Sequence, residues 1–207
     1  MKSRDWLVTK EGNCLAIESL RDWDLLRDDY RFYRFLTEVE DLTKIADKQG
    51  EAEENFLPEI RKLVRKLILN SYWVKTRSPQ PNQKTGTSIL LLYEELGFPM
   101  TVQTENILPG SGSPIHNHGT WGVVAVLEGM QKNTFWKRSP TPQFPEKIEQ
   151  VGEQILEAGN IISLTSEAIH AVEAVGEKPT ITFNLYGETD PNKRFQFDRI
   201  NHIAKHF

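Results

Sequence analysis

The sequence predicts a mainly β fold, an antiparallel jelly roll or small barrel, with a helical N-terminal section. Three observations point there. From Thr87 onward, short runs rich in Val, Ile, Thr and aromatic residues follow one another, separated by Gly or Pro breaks. No long helical pattern alternates with them, which argues against a parallel α/β sheet. Before them, from Leu15 to about Trp73, apolar residues recur at helical spacing.

In the helical section, Leu25, Leu26, Phe32, Phe35, Leu36 and Val39 mark one face. Leu57, Ile60, Leu63, Val64, Leu67 and Ile68 mark another. The polar stretch from Asp47 to Asn55 contains Gly50 and suits a helix stop and a loop. Pro58 falls where a first helical turn would tolerate its missing N–H. The stretch KTRSPQPNQKTG, residues 75–86, is a loop. The strands expected after it are Thr87–Glu94, Met100–Leu108, Trp121–Leu127, Lys132–Lys137, Gln154–Glu157, Ile161–Leu164, Ala171–Val175 and Thr180–Tyr186. One domain over 1–207 is expected, with section 1–75 packed on a barrel core of 87–190.

Bulk properties narrow the function. A chain of 207 residues builds one sizeable core and is short for two. Its net charge of −4, with no basic block, excludes the concentrated positive face that nucleic acid requires. The single cysteine, Cys14, permits neither an internal disulfide nor a thiolate metal cluster, and reads as a packing residue. No apolar stretch follows the basic start MKSRDWLVTKEG, so it does not read as a signal peptide. Apolar runs such as Ile89–Tyr93 and Val123–Leu127 are strand-length, too short for a helix to cross a bilayer. A cytoplasmic protein, monomer or homodimer, with no membrane partner is the expectation.

Three of the five histidines stand in the barrel segment. His116 and His118 lie two apart in PGSGSPIHNHGTWGVVAVLEG, so an extended backbone points both rings to one face and Asn117 to the other. Pro109, Gly110, Gly112 and Pro114 shape the turn that delivers the pair. His170 follows Gly159 and Asn160 by a strand and a turn, and opens the next strand. A His-x-His alone is commonly two unrelated surface or core residues. The Gly/Pro framing and a third histidine at a strand start favour one divalent metal on His116, His118 and His170. Three imidazoles leave coordination positions open, unlike a closed four-ligand structural zinc site.

Gly110, His116, His118, Gly122 and Gly129 together resemble the first motif of the cupin superfamily, and Gly159 through His170 resembles the second. The glutamate ligand usual between the second histidine and the closing glycine is replaced by Gly122. In that respect the chain resembles the thiol dioxygenases, cysteine dioxygenase and its bacterial 3-mercaptopropionate relatives, and HNHGTWGVVAVLEG is similar to the bacterial branch. The resemblance implies a cupin double-stranded β-helix, an Fe(II) cofactor (Ni or Zn being able to occupy a purified sample), and a small thiol and O2 as substrates. The product would be a sulfinic acid. Three neutral ligands leave the ion its full charge, which favours a bound thiolate.

The chain also departs from the family pattern. The Ser-x-His-x-Tyr relay becomes Thr182-Phe183-Asn184-Leu185-Tyr186, in which Thr182, Asn184 and Tyr186 share a face. Asn184 cannot take up or release a proton as histidine does, while Tyr186 keeps a phenolic donor. Tyr186 reads equally as a strand tyrosine at a barrel mouth. The family's arginine or glutamine for a substrate carboxylate falls near Thr87 or Ile89. Arg77 and Arg194 are the candidate replacements, each reading also as a plain surface arginine, and Trp121 reads equally as a pocket wall or a core residue. Gly122 also takes the place of the cysteine that crosslinks to tyrosine in animal cysteine dioxygenases. His202 and His206 share a helix face or belong to a frayed terminus. Glu105, Glu128 and Glu173 read as outward-facing, and Phe135 and Trp136 as structural. Besides the oxygenase reading stands a metal-binding cupin that is non-catalytic, or differently reactive, toward a small molecule.

Overall fold

A computed structural model of the protein describes residues 5–17, 30–95 and 99–207. Leu25 and Leu26 lie outside the described residues. The strands are β1 (Asp5–Val8), β2 (Cys14–Ile17), β3 (Thr87–Glu94), β4 (Met100–Ile107), β5 (Ile115–His116), β6 (Gly122–Glu128) and β7 (Met130–Arg138). They continue with β8 (Ile148–Glu157), β9 (Ile161–Leu164), β10 (Ile169–Val175), β11 (Thr180–Gly187), β12 (Phe195–Asp198) and β13 (Ile203–His206). The helices are α1 (Phe32–Gln49), α2 (Glu53–Asn70) and the short α3 (Tyr72–Thr76).

The pairing defines the architecture. β4 pairs with β11, β5 with β10, β6 with β9 and β7 with β8, all antiparallel. Such nested pairing is a long hairpin, closed at β7–β8 and rolled up so that its strands alternate between two sheets. The sheets run β2-β1-β9-β6-β11-β4-β3 and β13-β12-β5-β10-β7-β8. This is the double-stranded β-helix, mainly β, that the sequence implies, with helices N-terminal to it.

Several expectations are corrected. Residues 14–17 are strand rather than the start of a helical section: β1 pairs parallel with β9, and β2 antiparallel with β1. That pairing satisfies backbone groups along an otherwise open edge, which outweighs the helical spacing of a few apolar residues. Cys14 therefore sits in a strand. It is half-buried, and burial pushes its thiol up to about 11. Strands β7, β8 and β10 begin earlier than their apolar runs, because their partners extend the ladders. Pro58 is the sixth residue of α2, not part of its first turn, so one intrahelical bond is forgone. His202 and His206 are on no helix: β13 pairs with β12, and His202 occupies the preceding turn with φ 54°.

The helices cover one sheet. Phe35, Leu36 and Val39 of α1 and Leu57, Ile60, Val64 and Leu67 of α2 share a core with Val102, Val123, Ala125, Phe183 and Leu185. Phe35 meets Phe183 edge-on at 6.1 Å. Gly50, at φ 61°, ends α1 in the left-handed conformation that lacks a Cβ penalty. A buried ionic group adds to the contact: Asp5 accepts from Arg61 Nε at 3.0 Å and also from Arg65. Arg65 also reaches the Gly159 carbonyl at 2.5 Å. A second cluster, including Val124, Val126, Phe135, Leu156, Ile162 and Leu164, fills the space between the sheets.

Candidate metal centre

Beyond that apolar packing, a cavity of about 980 Å³ opens between the sheets. His116, His118 and His170 all line it and are all buried. His116 closes β5 and is paired with His170 of β10 in the antiparallel register. His118 lies just past β5, yet its ring still turns to the same side, 4.7 Å from that of His116. Asn117 points the other way, as alternation requires. It donates to the Lys193 carbonyl at 2.8 Å and accepts from the Phe195 N–H at 2.7 Å, fixing the loop that carries the pair.

The hydrogen bonds orient the rings. Pro114's carbonyl can only accept, so at 2.9 Å it holds the proton on His116 Nδ1. Asn133 Oδ1 stands 3.1 Å from His170 Nδ1 and accepts from it in the same way. Nε2 is then the free lone pair on both rings. His118 Nε2 and His170 Nε2 face each other at 3.0 Å, and the three ligand nitrogens lie within 4.8 Å of one another. Metal–nitrogen bonds of about 2.0–2.1 Å place adjacent ligands of one ion about 3 Å apart. Burial favours the neutral rings: it lowers His116 to about 4, and holds His118 and His170 well below their usual value. Three neutral imidazoles with converging ring nitrogens, two of them held in the Nδ1–H tautomer, fit a divalent cation.

Gly122 leaves no room for a side chain beside the tyrosine of the neighbouring strand. A Cβ there would come within 2.9 Å of the Tyr186 ring, so the space of a ligand side chain is taken by the tyrosine. Tyr186 in turn stacks on His118 with ring centres 4.6 Å apart. Opposite it, Phe207 stacks on His116 at 5.4 Å, and the Arg194 guanidinium lies over Phe207 at 4.2 Å.

The structure brings together some sequence candidates and separates others. Asn184, Tyr186 and Arg194 line the cavity, as do Thr87 and Ile89. Thr182 is buried one step further along β11 and is not among the lining residues. Arg77 is exposed away from the cavity, its carbonyl accepting from Thr104. Trp121 packs on Phe56 in the helix-facing core. Glu105 is a correction: it faces into the cavity rather than outward, accepting from Asn184 Nδ2 at 3.4 Å. The helices cover the outside of this sheet, so β4 turns its apolar alternate residues outward and Gln103 and Glu105 inward. Glu128 is exposed, and Glu173 pairs with Lys132. Sequence reasoning also missed Gln131 and Asn133. Their signal was parity, since both share one face of β7 with the buried Phe135.

No protein-family model matches the chain, and no curated protein matches it. Among solved structures, it is similar to an oxalate oxidase in complex with the substrate analogue glycolate, at 15% identity and a TM-score of 0.42. That match covers 56% of this chain and 58% of the oxalate oxidase, less than two thirds of its length. A cupin superfamily protein from Desulfitobacterium hafniense DCB-2 is 11% identical with a TM-score of 0.40, covering 54% of this chain and 84% of that one. An uncharacterized protein with a double-stranded β-helix domain from Klebsiella pneumoniae subsp. pneumoniae is 14% identical with a TM-score of 0.43, covering 56% and 83%. Among the described residues, no helix is long and apolar enough to cross a membrane.

Proposed function

We propose that the protein is a metal-dependent oxygenase of small thiols, with Fe(II) held by His116, His118 and His170. The observation that carries this reading is the donor set: three buried, neutral imidazoles converge, and a tyrosine ring fills the place of a ligand carboxylate. Fe(II) bound there would keep its full positive charge, lower the pKa of a thiol and bring thiol and O2 to one centre.

The chain's own groups supply orientation. Pro114 and Asn133 fix the tautomers of His116 and His170, so neither ring can rotate without losing a buried hydrogen bond. Burial and the Glu105 charge push the Tyr186 phenol well above its usual value, so it stays protonated and acts as a hydrogen-bond donor beside His118. Asn184 orients by its amide and neither takes up nor releases a proton. Arg194, stacked on Phe207, closes one side. The overall change is RSH + O2 → RSO2H: sulfur loses four electrons, dioxygen gains four, and both oxygen atoms end on sulfur. No further reductant is required.

The test is anaerobic Fe(II) loading followed by oxygen-uptake measurements across small thiols, with sulfinate detected by mass spectrometry. The reading expects one O2 consumed per sulfinate formed. Oxygen uptake indifferent to every thiol, with no sulfinate, overturns it.

A further inference from the structure

The charges lining the cavity are unevenly matched. Among the described residues, four carboxylates, Glu94, Glu95, Glu105 and Glu188, line it against one guanidinium, Arg194. Glu94, Glu95 and Glu188 are exposed and bias the mouth. Glu105 lies deeper, and among the described residues no Lys or Arg pairs with it. Burial raises its pKa, offset in part by the Asn184 amide. Withdrawing a carboxylate from water without a cation is costly, and nothing in the sheet pairing requires a carboxylate there.

Two further groups point to what is missing. Asn184, 1% exposed, spends its N–H on Glu105, which leaves its Oδ1 without a donor. Turning the amide over would set its oxygen against the carboxylate, so the orientation is fixed. Gln131, 4% exposed on β7, also has an unpartnered amide oxygen, and it lines the same cavity. A half-buried carboxylate whose one side-chain donor is the long Asn184 bond, and two buried amide oxygens with no donor, thus line one cavity, which also holds two unpartnered donors, Asn133 Nδ2 and Arg194 Nε. Along β11, Asn184 is one two-residue step, about 6.6–6.8 Å, from the Tyr186 that touches His118. Asn184 thus stands a short ligand's length along the strand from the residue that touches His118.

We propose that the cavity holds an organic cation, in its simplest form a protonated amine, against Glu105, with the Asn184 and Gln131 oxygens accepting its remaining N–H groups. Glu105 is then a specificity residue. Joined to the thiol reading, on which this part rests, the substrate is a thiol that carries an ammonium group. The cation subsite itself depends only on Glu105 and its neighbours.

The experiment is calorimetric titration of the Fe(II)-loaded protein under argon with three thiols of similar length and different charge: cysteamine, 2-mercaptoethanol and 3-mercaptopropionate. Cysteamine is expected to bind at least tenfold tighter than 2-mercaptoethanol, and 3-mercaptopropionate weakest. Glu105→Gln is expected to weaken cysteamine about tenfold and leave 2-mercaptoethanol unchanged. Equal affinities in the wild type, or a preference that survives Glu105→Gln, overturns the cation subsite. Metal-free wild-type protein repeats the series without chelation, so the charge preference is readable even where the variant does not fold; loss of the preference there overturns the proposal. Ethylamine separates the two readings. Glu105-dependent ethylamine binding, with no oxygen uptake on any thiol, keeps the subsite and removes the thiol oxygenase. Sulfinate formation without charge preference does the reverse.

Discussion

At the scale of single residues, the metal centre depends on groups that never touch the metal. Asn133 is 1% exposed and holds the His170 Nδ1 proton at 3.1 Å. Replacing it with an isosteric apolar residue leaves that N–H unpaired and frees the ring to choose the wrong tautomer. Asn133→Leu is therefore expected to weaken metal binding about 10–100-fold. Competition with a chromophoric chelator measures this; an affinity equal to wild type would show that Asn133 does not position His170. Gly122 acts by what it lacks, since any side chain there would displace Tyr186 from His118.

At the scale of elements, the decisive joint is between β1, α2 and the β9 turn. Asp5 and its partners Arg61 and Arg65 are all buried, and burial lowers the Arg61 pKa against the pull of Asp5. Removing the carboxylate leaves two guanidinium groups without a counter-charge, at a cost of about 3–5 kcal/mol. Asp5→Ala is expected to lose that much in urea unfolding, whereas a loss below about 1 kcal/mol would mean that water already screens the pair. This joint was not legible in the sequence, because β1 is four residues long and pairs with a strand more than 150 positions away. Glu105 was misplaced for a related reason. Alternation along β4 is plain, but which face is core depends on the helices outside and the polar cavity within. The His116, His118 and His170 set was legible because glycine and proline spacing, strand parity and ligand chemistry all agree. The Thr182, Asn184 and Tyr186 row was legible as one face, though only Asn184 and Tyr186 reach the cavity.

At the scale of the whole molecule, helices and barrel share one apolar core, in which Phe35, Leu57 and Ile60 bury against Val123, Phe183 and Leu185. Neither face can be left in water, so one cooperative unfolding transition is expected, with helical and aromatic circular dichroism signals lost together. Two separated transitions, or a soluble folded fragment starting at Thr87, would contradict that unity. The helices also determine the cavity, because by covering one sheet from outside they leave its polar residues to line the inside. The function proposed for this cavity requires that it hold one metal ion on three imidazoles. Elemental analysis of the protein and of His116→Ala, His118→Ala and His170→Ala tests it most directly. About one ion per chain is expected in the wild type and a severe loss in each variant, with folding retained. Metal content unchanged by any of the three substitutions would contradict it.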